Sequence, residues 1–255
     1  MPEITPPLAA LLLFTTSFSA GAWAVLRRRE QDGAHLFLAF ATGVFIATLG
    51  MELLPAAFTA GEPFPSVALI IAGFVGFYVI EKFIDRFTQE NQKRNDQKAG
   101  SGWDSHMTVA LTTLAGLCVH SLAEGAALGV GLDLGTFGSE LVFSVAVHHV
   151  VAAFAVGALF VLAKTTPSLS LGAITLFALA PPAGIALGQT MVDSGRHENG
   201  LLGLLTALTA GAFLYIATAD LIPETFHGRS GPLMKVALVS AGAGLIVVSS
   251  LMSAH

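Results

Sequence analysis

An all-α polytopic membrane fold of eight helices is predicted by three features of the sequence. Hydrophobic residues make up 54% of the 255 residues and charged residues only 11%, against roughly 25% charged in a soluble domain. Eight apolar runs follow one another, joined by polar or Gly/Pro-rich links. The basic residues concentrate on alternate links. A chain of this composition must be covered by lipid, so residues 1–255 are predicted to form a single transmembrane domain with the bilayer as its partner.

Each apolar run is close to the roughly 20 residues that a helix needs to cross the hydrocarbon core. Helices are expected because every backbone polar group must be paired in lipid. Barrel strands would be shorter and would alternate in polarity, which these runs do not. The predicted spans are Pro7–Leu26, His35–Pro55, Ser66–Phe87, Met107–Gly131, Ser139–Leu162, Leu169–Met191, Leu201–Ile222 and Leu233–Met252.

The distribution of Lys and Arg predicts the orientation of the bundle. Eleven of the twelve basic residues lie at or beyond the ends of the odd-numbered spans, and the exception is Arg196. The positive-inside rule makes that side cytoplasmic, so both termini are expected on the extracytoplasmic side. The longest link, at about residues 88–105, is predicted to be a polar cytoplasmic loop. The expected location is the cell membrane, or the inner membrane of a bacterium.

A cleaved signal peptide is an alternative interpretation of the first span. The segment AGAWA at residues 20–24 could pass for a cleavage site. The basic segment that normally precedes the apolar part is missing, since Glu3 is the only early charge. Cleavage would also leave Arg27–Arg29 at a free extracellular end, against the charge pattern elsewhere. A spanning helix is therefore the favoured interpretation.

Ionisable residues near the middle of two spans mark the candidate functional site. His120 and Glu124 are four residues apart in the fourth span, which places both side chains on one face of a helix. His148 and His149 are adjacent in the fifth span and point about 100° apart. Charged or imidazole groups at membrane depth are costly, so they indicate a functional site.

The depths of these four residues suggest that they meet. The fourth and fifth spans run in opposite directions, and all four side chains fall at similar distances from the membrane faces. Imidazoles and a carboxylate form a ligand set that suits zinc, and also iron, manganese or nickel. The single cysteine, Cys118, excludes a multi-cysteine metal site. The alternative is that these groups only form hydrogen bonds between helices.

Acidic residues nearer the span ends could serve as entrance and exit stations for a cation. Glu52 lies toward the outer end of the second span, and Glu140 flanks the outer link between the fourth and fifth spans. Asp220 and Glu224 lie at the inner end of the seventh span. The competing interpretation is that charges at span ends are simply solvated.

The motif residues resemble the ZIP (Zrt/Irt-like) family of divalent metal transporters. The fourth helix of that family typically reads His-Asn-x-x-Glu-Gly, and this chain has the run His120–Gly125 (HSLAEG). The fifth-helix motif, His-Asn-x-Pro-Glu-Gly or a relative, is matched in place by the run His148–Ala153 (HHVVAA). The seventh-helix run Asp220–Glu224 (DLIPE) and the Leu53–Pro55 ending of the second span also resemble the family.

The departures from that pattern concern the metal stoichiometry. Many members of the family bridge two metals with a fifth-helix glutamate, and that position is Ala152 here. The fourth-helix asparagine is replaced by Ser121, and a sixth-helix acid by Pro181. The resemblance therefore implies a single transport site of His120, Glu124 and His148, with His149 as a further ligand.

The resemblance also implies a function. A divalent metal, zinc first and cadmium, iron or manganese as further candidates, would move toward the cytoplasm as the transported substrate, with no resident cofactor. Helices four and five would slide against a scaffold, in a chain that binds no nucleic acid and is compatible with a homodimer. Two alternatives remain at this point: a membrane-embedded metal-dependent hydrolase and a metal-gated receptor.

Overall fold

The computed structural model describes residues 4–27, 31–59, 63–95, 104–133, 135, 139–194, 201–227 and 231–253. Within these residues, eight helices are long and apolar enough to cross a membrane, which confirms the predicted fold class. We number them α1 to α8; α2 and α7 each consist of three consecutive segments. Their bounds are α1 Pro6–Leu26, α2 Gln31–Thr48 with Leu49–Leu53 and Leu54–Thr59, α3 Pro63–Asn95, α4 Asp104–Asp133, α5 Ser139–Leu162, α6 Pro167–Asp193, α7 Leu201–Tyr215 with Ile216–Leu221 and Ile222–His227, and α8 Pro232–Ser253.

The third helix is longer than its predicted span. The sequence predicts a polar loop over residues 88–105, but α3 continues to Asn95 and α4 begins at Asp104. Residues 88–95 and 104–105 are thus helical, and the cytoplasmic position of the link between the third and fourth spans stays a prediction. The reason is that the segment after Phe87 is rich in Gln, Glu, Lys and Arg, which favour a helix in water.

Two helices are interrupted by π-helical turns that the hydrophobic pattern does not reveal. Leu49–Leu53 forms one in α2 and Ile216–Leu221 forms the other in α7. These turns carry Glu52 and Asp220, two of the acidic residues singled out from the sequence. Wider turns of this kind are frequent at functional sites, because they redirect side chains out of the regular helical register.

The eight helices pack as two groups of four. The most extensive contacts join α4 with α6 and α1 with both α5 and α6 in one group, and α2 with α8 and α3 with α7 in the other. All four candidate metal ligands lie on the first group, which we call the site group (α1, α4, α5 and α6). The second group (α2, α3, α7 and α8) we call the flanking group.

Glycines bring backbones into direct contact inside the site group. A Cβ at Gly125 of α4 would overlap the carbonyl oxygen of Pro181, and a Cβ at Gly184 of α6 would overlap that of Leu122. Small residues allow such close approach between membrane helices. The α6 helix continues through Pro181 and its neighbour Pro182 without ending. Helices α4 and α6 therefore form a tightly joined pair.

The flanking group is built in the same way. A Cβ at Gly43 or Gly242 would overlap backbone atoms across the contact between α2 and α8. A Cβ at Gly73 or Gly211 would overlap backbone atoms across the contact between α3 and α7. Gly116, which lies on α4 opposite α7, meets side-chain atoms instead. Among the described glycines, the backbone-to-backbone contacts therefore fall within the groups rather than between them.

Candidate metal site

The four candidate metal ligands of α4 and α5 lie close together in the structure. Glu124 lies at the centre: its carboxylate oxygens are 3.1 Å from His148 Nε2, 2.7 Å from His149 Nε2 and 3.8 Å from His120 Nε2. The i, i+4 spacing places His120 directly below Glu124 on α4. The antiparallel α5 supplies the other two imidazoles from the facing side.

Three of these four residues form a compact ligand set. One ligand atom from each of His120, Glu124 and His148 lies within 4.8 Å of the other two. Ligand atoms around a tetrahedral zinc, with bonds of about 2.0–2.2 Å, are separated by roughly 3.3 Å. The observed separations bracket that value, so small movements would complete the coordination. His149 stacks its ring on Phe177 at 5.7 Å between centroids and holds Glu124 from the side.

Burial makes these side chains unusual unless they have a ligand. The three histidines are 1–6% exposed, and both ring nitrogens of His120 lack a hydrogen-bond partner among the described residues. An unpaired buried polar group costs several kcal/mol in a hydrocarbon environment. A cation bound at Nε2 of His120 would remove one of these deficits.

A cavity of about 400 Å³ leads from the site toward one face of the bundle. Its walls include His120, Glu124 and His148 at the inner end and Glu52 of the α2 π turn. The remaining lining residues come from the halves of α2, α4, α5, α7 and α8 that point to the same face: Leu53, Ala56, Ala123, Ala127, Ser144, Val145, Thr206, Thr209 and Ser250. This is the face on which the sequence places few basic residues.

On the opposite side, a gap of about 10 Å³ borders the ligand residues, which is at the lower limit for one water molecule. Phe45 and Phe213, with ring centroids 5.3 Å apart, belong to the residues that enclose it. Ala152 and Ser121 line the same gap. The cavity therefore reaches the site from one face, and the Phe45 and Phe213 rings lie beside the site toward the other.

The structure places the predicted stations at different distances from the site. Glu52 lines the outer cavity. Glu140 belongs to the first turn of α5, but its side chain lies outside the described residues. Asp220 accepts a hydrogen bond of 2.8 Å from Thr112 of α4. Glu224 lies near the inner end of α7 and contacts two further histidines.

Those two histidines are residues that sequence reasoning missed. His35 Nε2 is 3.6 Å and His106 Nδ1 is 2.9 Å from Glu224 Oε1. Each histidine lies near the beginning of its span, where an imidazole is usually solvated. The predicted topology could have revealed them, because the second and fourth spans begin on the side of the membrane where the seventh span ends.

A His/Glu set that lines a cavity within an eight-helix membrane bundle indicates a membrane protein that handles metal ions. The family model described as "ZIP Zinc transporter" matches residues 87–250. The chain belongs to the ZIP family. It is a multi-pass membrane protein of metal transport, and since the family is one of transporters rather than enzymes, the hydrolase alternative is set aside.

Individual relatives agree over most of the chain. Zinc transporter ZIP1 of Homo sapiens is 25% identical over 284 residues, covering 94% of this chain and 87% of the relative. Zinc transporter ZIP1 of Danio rerio is 23% identical over 248 residues, covering 81% of each. Zinc transporter ZIP2 of Homo sapiens is 32% identical over 136 residues, covering 52% of this chain and 43% of the relative.

Proposed function

We propose that this protein carries zinc toward the cytoplasm through a single site formed by His120, Glu124 and His148. The observation that carries the proposal is the convergence of two buried histidines and the partly buried Glu124 on the wall of the outer cavity. His149 acts as a positioning residue, because it contacts the Glu124 carboxylate at 2.7 Å. Helices α4 and α5 each contribute one neutral imidazole, and Glu124 supplies the negative charge that offsets the cation.

Zinc is the preferred substrate on the chemistry of the donors. Two imidazoles and one carboxylate match the nitrogen and oxygen ligands of zinc and leave a position open for water or exchange. The relatives named as zinc transporters support the same choice. Cadmium, iron and manganese stay candidates, because ligand type alone discriminates weakly among divalent metals.

A single bound metal is favoured by the residues beside the site. Where a second ion would need a bridging carboxylate, Ala152 presents a methyl group that is 6% exposed. Ser121 offers only a hydroxyl, in a gap of about 10 Å³. We therefore propose one metal per transport cycle at this site.

Two observations support inward transport: the position of the cavity and the positive-inside orientation. The open cavity lies on the face with few basic residues, which that rule makes extracytoplasmic. Because the ligands all belong to the site group, a displacement of this group against the flanking group would move the complete site past the Phe45 and Phe213 rings. Glu52 and Glu140 would then lie on the entrance side, and Asp220 and Glu224 on the exit side.

Zinc uptake into liposomes tests the proposal. We expect purified wild-type protein to admit zinc, reported by an enclosed zinc-sensitive dye, at a rate well above that of empty liposomes. His120→Ala should reduce uptake to the empty-liposome level, because it removes one of three protein ligands. His197→Ala is the matched control, since it removes a histidine that lies far along the chain from the site. Equal uptake by wild type and His120→Ala would discard the site.

The orientation has its own test. In a Cys118→Ala background, we expect Ser194→Cys to react with a membrane-impermeant maleimide in intact cells. Lys164→Cys should react only after permeabilisation. Both positions are exposed, and they lie at opposite ends of the bundle. Reversed labelling would place the open cavity on the cytoplasmic side and contradict the proposed direction. A homodimer remains a prediction.

A further inference from the structure

A second group of metal-ligating side chains lies at the inner end of the bundle, outside the site described above. It consists of His35 of α2, His106 of α4 and Glu224 of α7. The two imidazole nitrogens approach the same carboxylate oxygen, at 3.6 Å and 2.9 Å. The cluster thus joins three helices that are far apart in the sequence, and it repeats the two-imidazole, one-carboxylate chemistry of the central site.

The cluster is largely removed from solvent but reachable from the inner face. The side chains of His35 and Glu224 are 11% and 6% exposed, whereas that of His106 is 32% exposed. The Glu224 carboxylate is thus buried, and the His106 imidazole is accessible. A hydrated cation could therefore arrive at His106 or leave past it while Glu224 remains in place.

The separations in the cluster suit a metal ion. Tetrahedral zinc holds its ligand atoms roughly 3.3 Å apart, and the two observed nitrogen-to-oxygen distances, 2.9 Å and 3.6 Å, lie on either side of that value. The Nδ1 of His106 and the Nε2 of His35 would coordinate together with the Glu224 carboxylate. A fourth position would remain for water.

The cluster is also aligned with the central site along α4. His106 and His120 are 14 residues apart, which corresponds to about 21 Å of helix and a difference of about 40° around its axis. Both therefore lie on the face of α4 turned toward the flanking group. Asp220 lies between them in depth, since its partner Thr112 is eight residues from His120. Acidic and imidazole groups thus continue beyond the Phe45 and Phe213 rings.

We infer that His35, His106 and Glu224 form a second binding site for a divalent transition metal, which receives the ion after the central site releases it. This inference rests on the proposed transport of zinc for its place in the route, but the binding itself does not. It extends the exit station beyond the acidic residues and assigns ligand roles to two histidines.

The test separates the two sites by removing the central one. Zinc bound per protein is measured by equilibrium dialysis and elemental analysis on the purified full-length chain in detergent. We expect two ions for wild type and one ion for the double variant His120→Ala/Glu124→Ala. Adding His106→Ala to that double variant should weaken the remaining binding at least tenfold, and adding His197→Ala should leave it unchanged. Cobalt binding, followed by its visible absorption, gives a second readout of nitrogen ligation.

Separate control variants distinguish misfolding from a loss of metal binding or transport. The single variant His106→Ala should retain one zinc ion at the central site, which shows that the bundle is intact. Absence of zinc from the central-site double variant would overturn the inference, as would a remaining ion whose affinity does not respond to His35→Ala or His106→Ala. Lack of flux in liposomes together with retained binding at His106 would instead reject the transport proposal and leave this site standing.

Discussion

Glu124→Gln is expected to lower zinc affinity at the central site roughly 100-fold or more and to reduce zinc uptake to background. The substitution keeps the size of the side chain but removes the charge that offsets the cation. It also disturbs the contacts with His148 and His149, which meet the Glu124 carboxylate at 3.1 Å and 2.7 Å. Isothermal titration with zinc and dye-reported uptake in liposomes measure the two effects.

Two further variants show whether the effect belongs to the ligand set. His149→Ala removes a residue that orients Glu124, and the loss of such an orienting partner typically costs 10–100-fold in metal affinity. Glu52→Gln removes a charge from the cavity wall without touching the ligand set, so most of the uptake should remain. If Glu52→Gln abolished uptake and Glu124→Gln did not, the assignment of centre and entrance would be reversed.

Gly184→Ala is expected to destabilise the protein by about 2 kcal/mol or more, the upper part of the usual range for overpacking. The new methyl group would overlap the Leu122 carbonyl oxygen and approach the Ala126 nitrogen at 2.9 Å. Both are backbone atoms of α4, so no side chain can rotate out of the way and the two helices must separate. A lowered thermal unfolding midpoint in detergent is the measurement.

Gly172→Ala is the matched control on the same helix. Nothing lies within 4 Å of a Cβ at Gly172, and alanine is favoured over glycine inside a helix by about 1 kcal/mol. This variant should be as stable as wild type or slightly more stable. Equal unfolding midpoints for the two variants would show that the close contact between α4 and α6 does not limit stability.

The Gly184 variant also connects stability with function. Because α4 carries His120 and Glu124, a displacement of α4 from α6 changes the position of these ligands relative to the α5 histidines. Zinc affinity should fall together with the unfolding midpoint in Gly184→Ala and remain at the wild-type value in Gly172→Ala.

Much of the fold could be predicted from local properties of the chain. A helix in lipid pairs its own backbone groups and needs only a sufficient apolar length, so eight spans are visible without knowledge of their neighbours. Hydrophobicity alone misses some boundaries: α3 extends to Asn95 because its polar continuation still favours helix. The π turns around Glu52 and Asp220 are not apparent from hydrophobicity, since a π turn changes backbone pairing without requiring a change in composition.

The proximity of the candidate ligands in the central site was predictable for a related reason. His120 and Glu124 share one helix face by their spacing alone, and the next span returns His148 and His149 to the same depth. The cost of ionisable groups in the membrane makes these residues conspicuous. Spacing alone does not separate His148, inside the compact ligand set, from His149, beside it; the family resemblance made that distinction.

The sequence by itself determined the eight spans, the apolar surface and the candidate residues of the central site, because each depends on hydrophobicity or on spacing within one or two helices. Only the tertiary structure decided the division into two helix groups, the cavity that reaches the site from one face and the inner cluster of His35, His106 and Glu224. These features depend on which helices pack together. Residues at the ends of spans acquire partners only through that packing, since an isolated histidine near water carries no signal of the carboxylate that it meets.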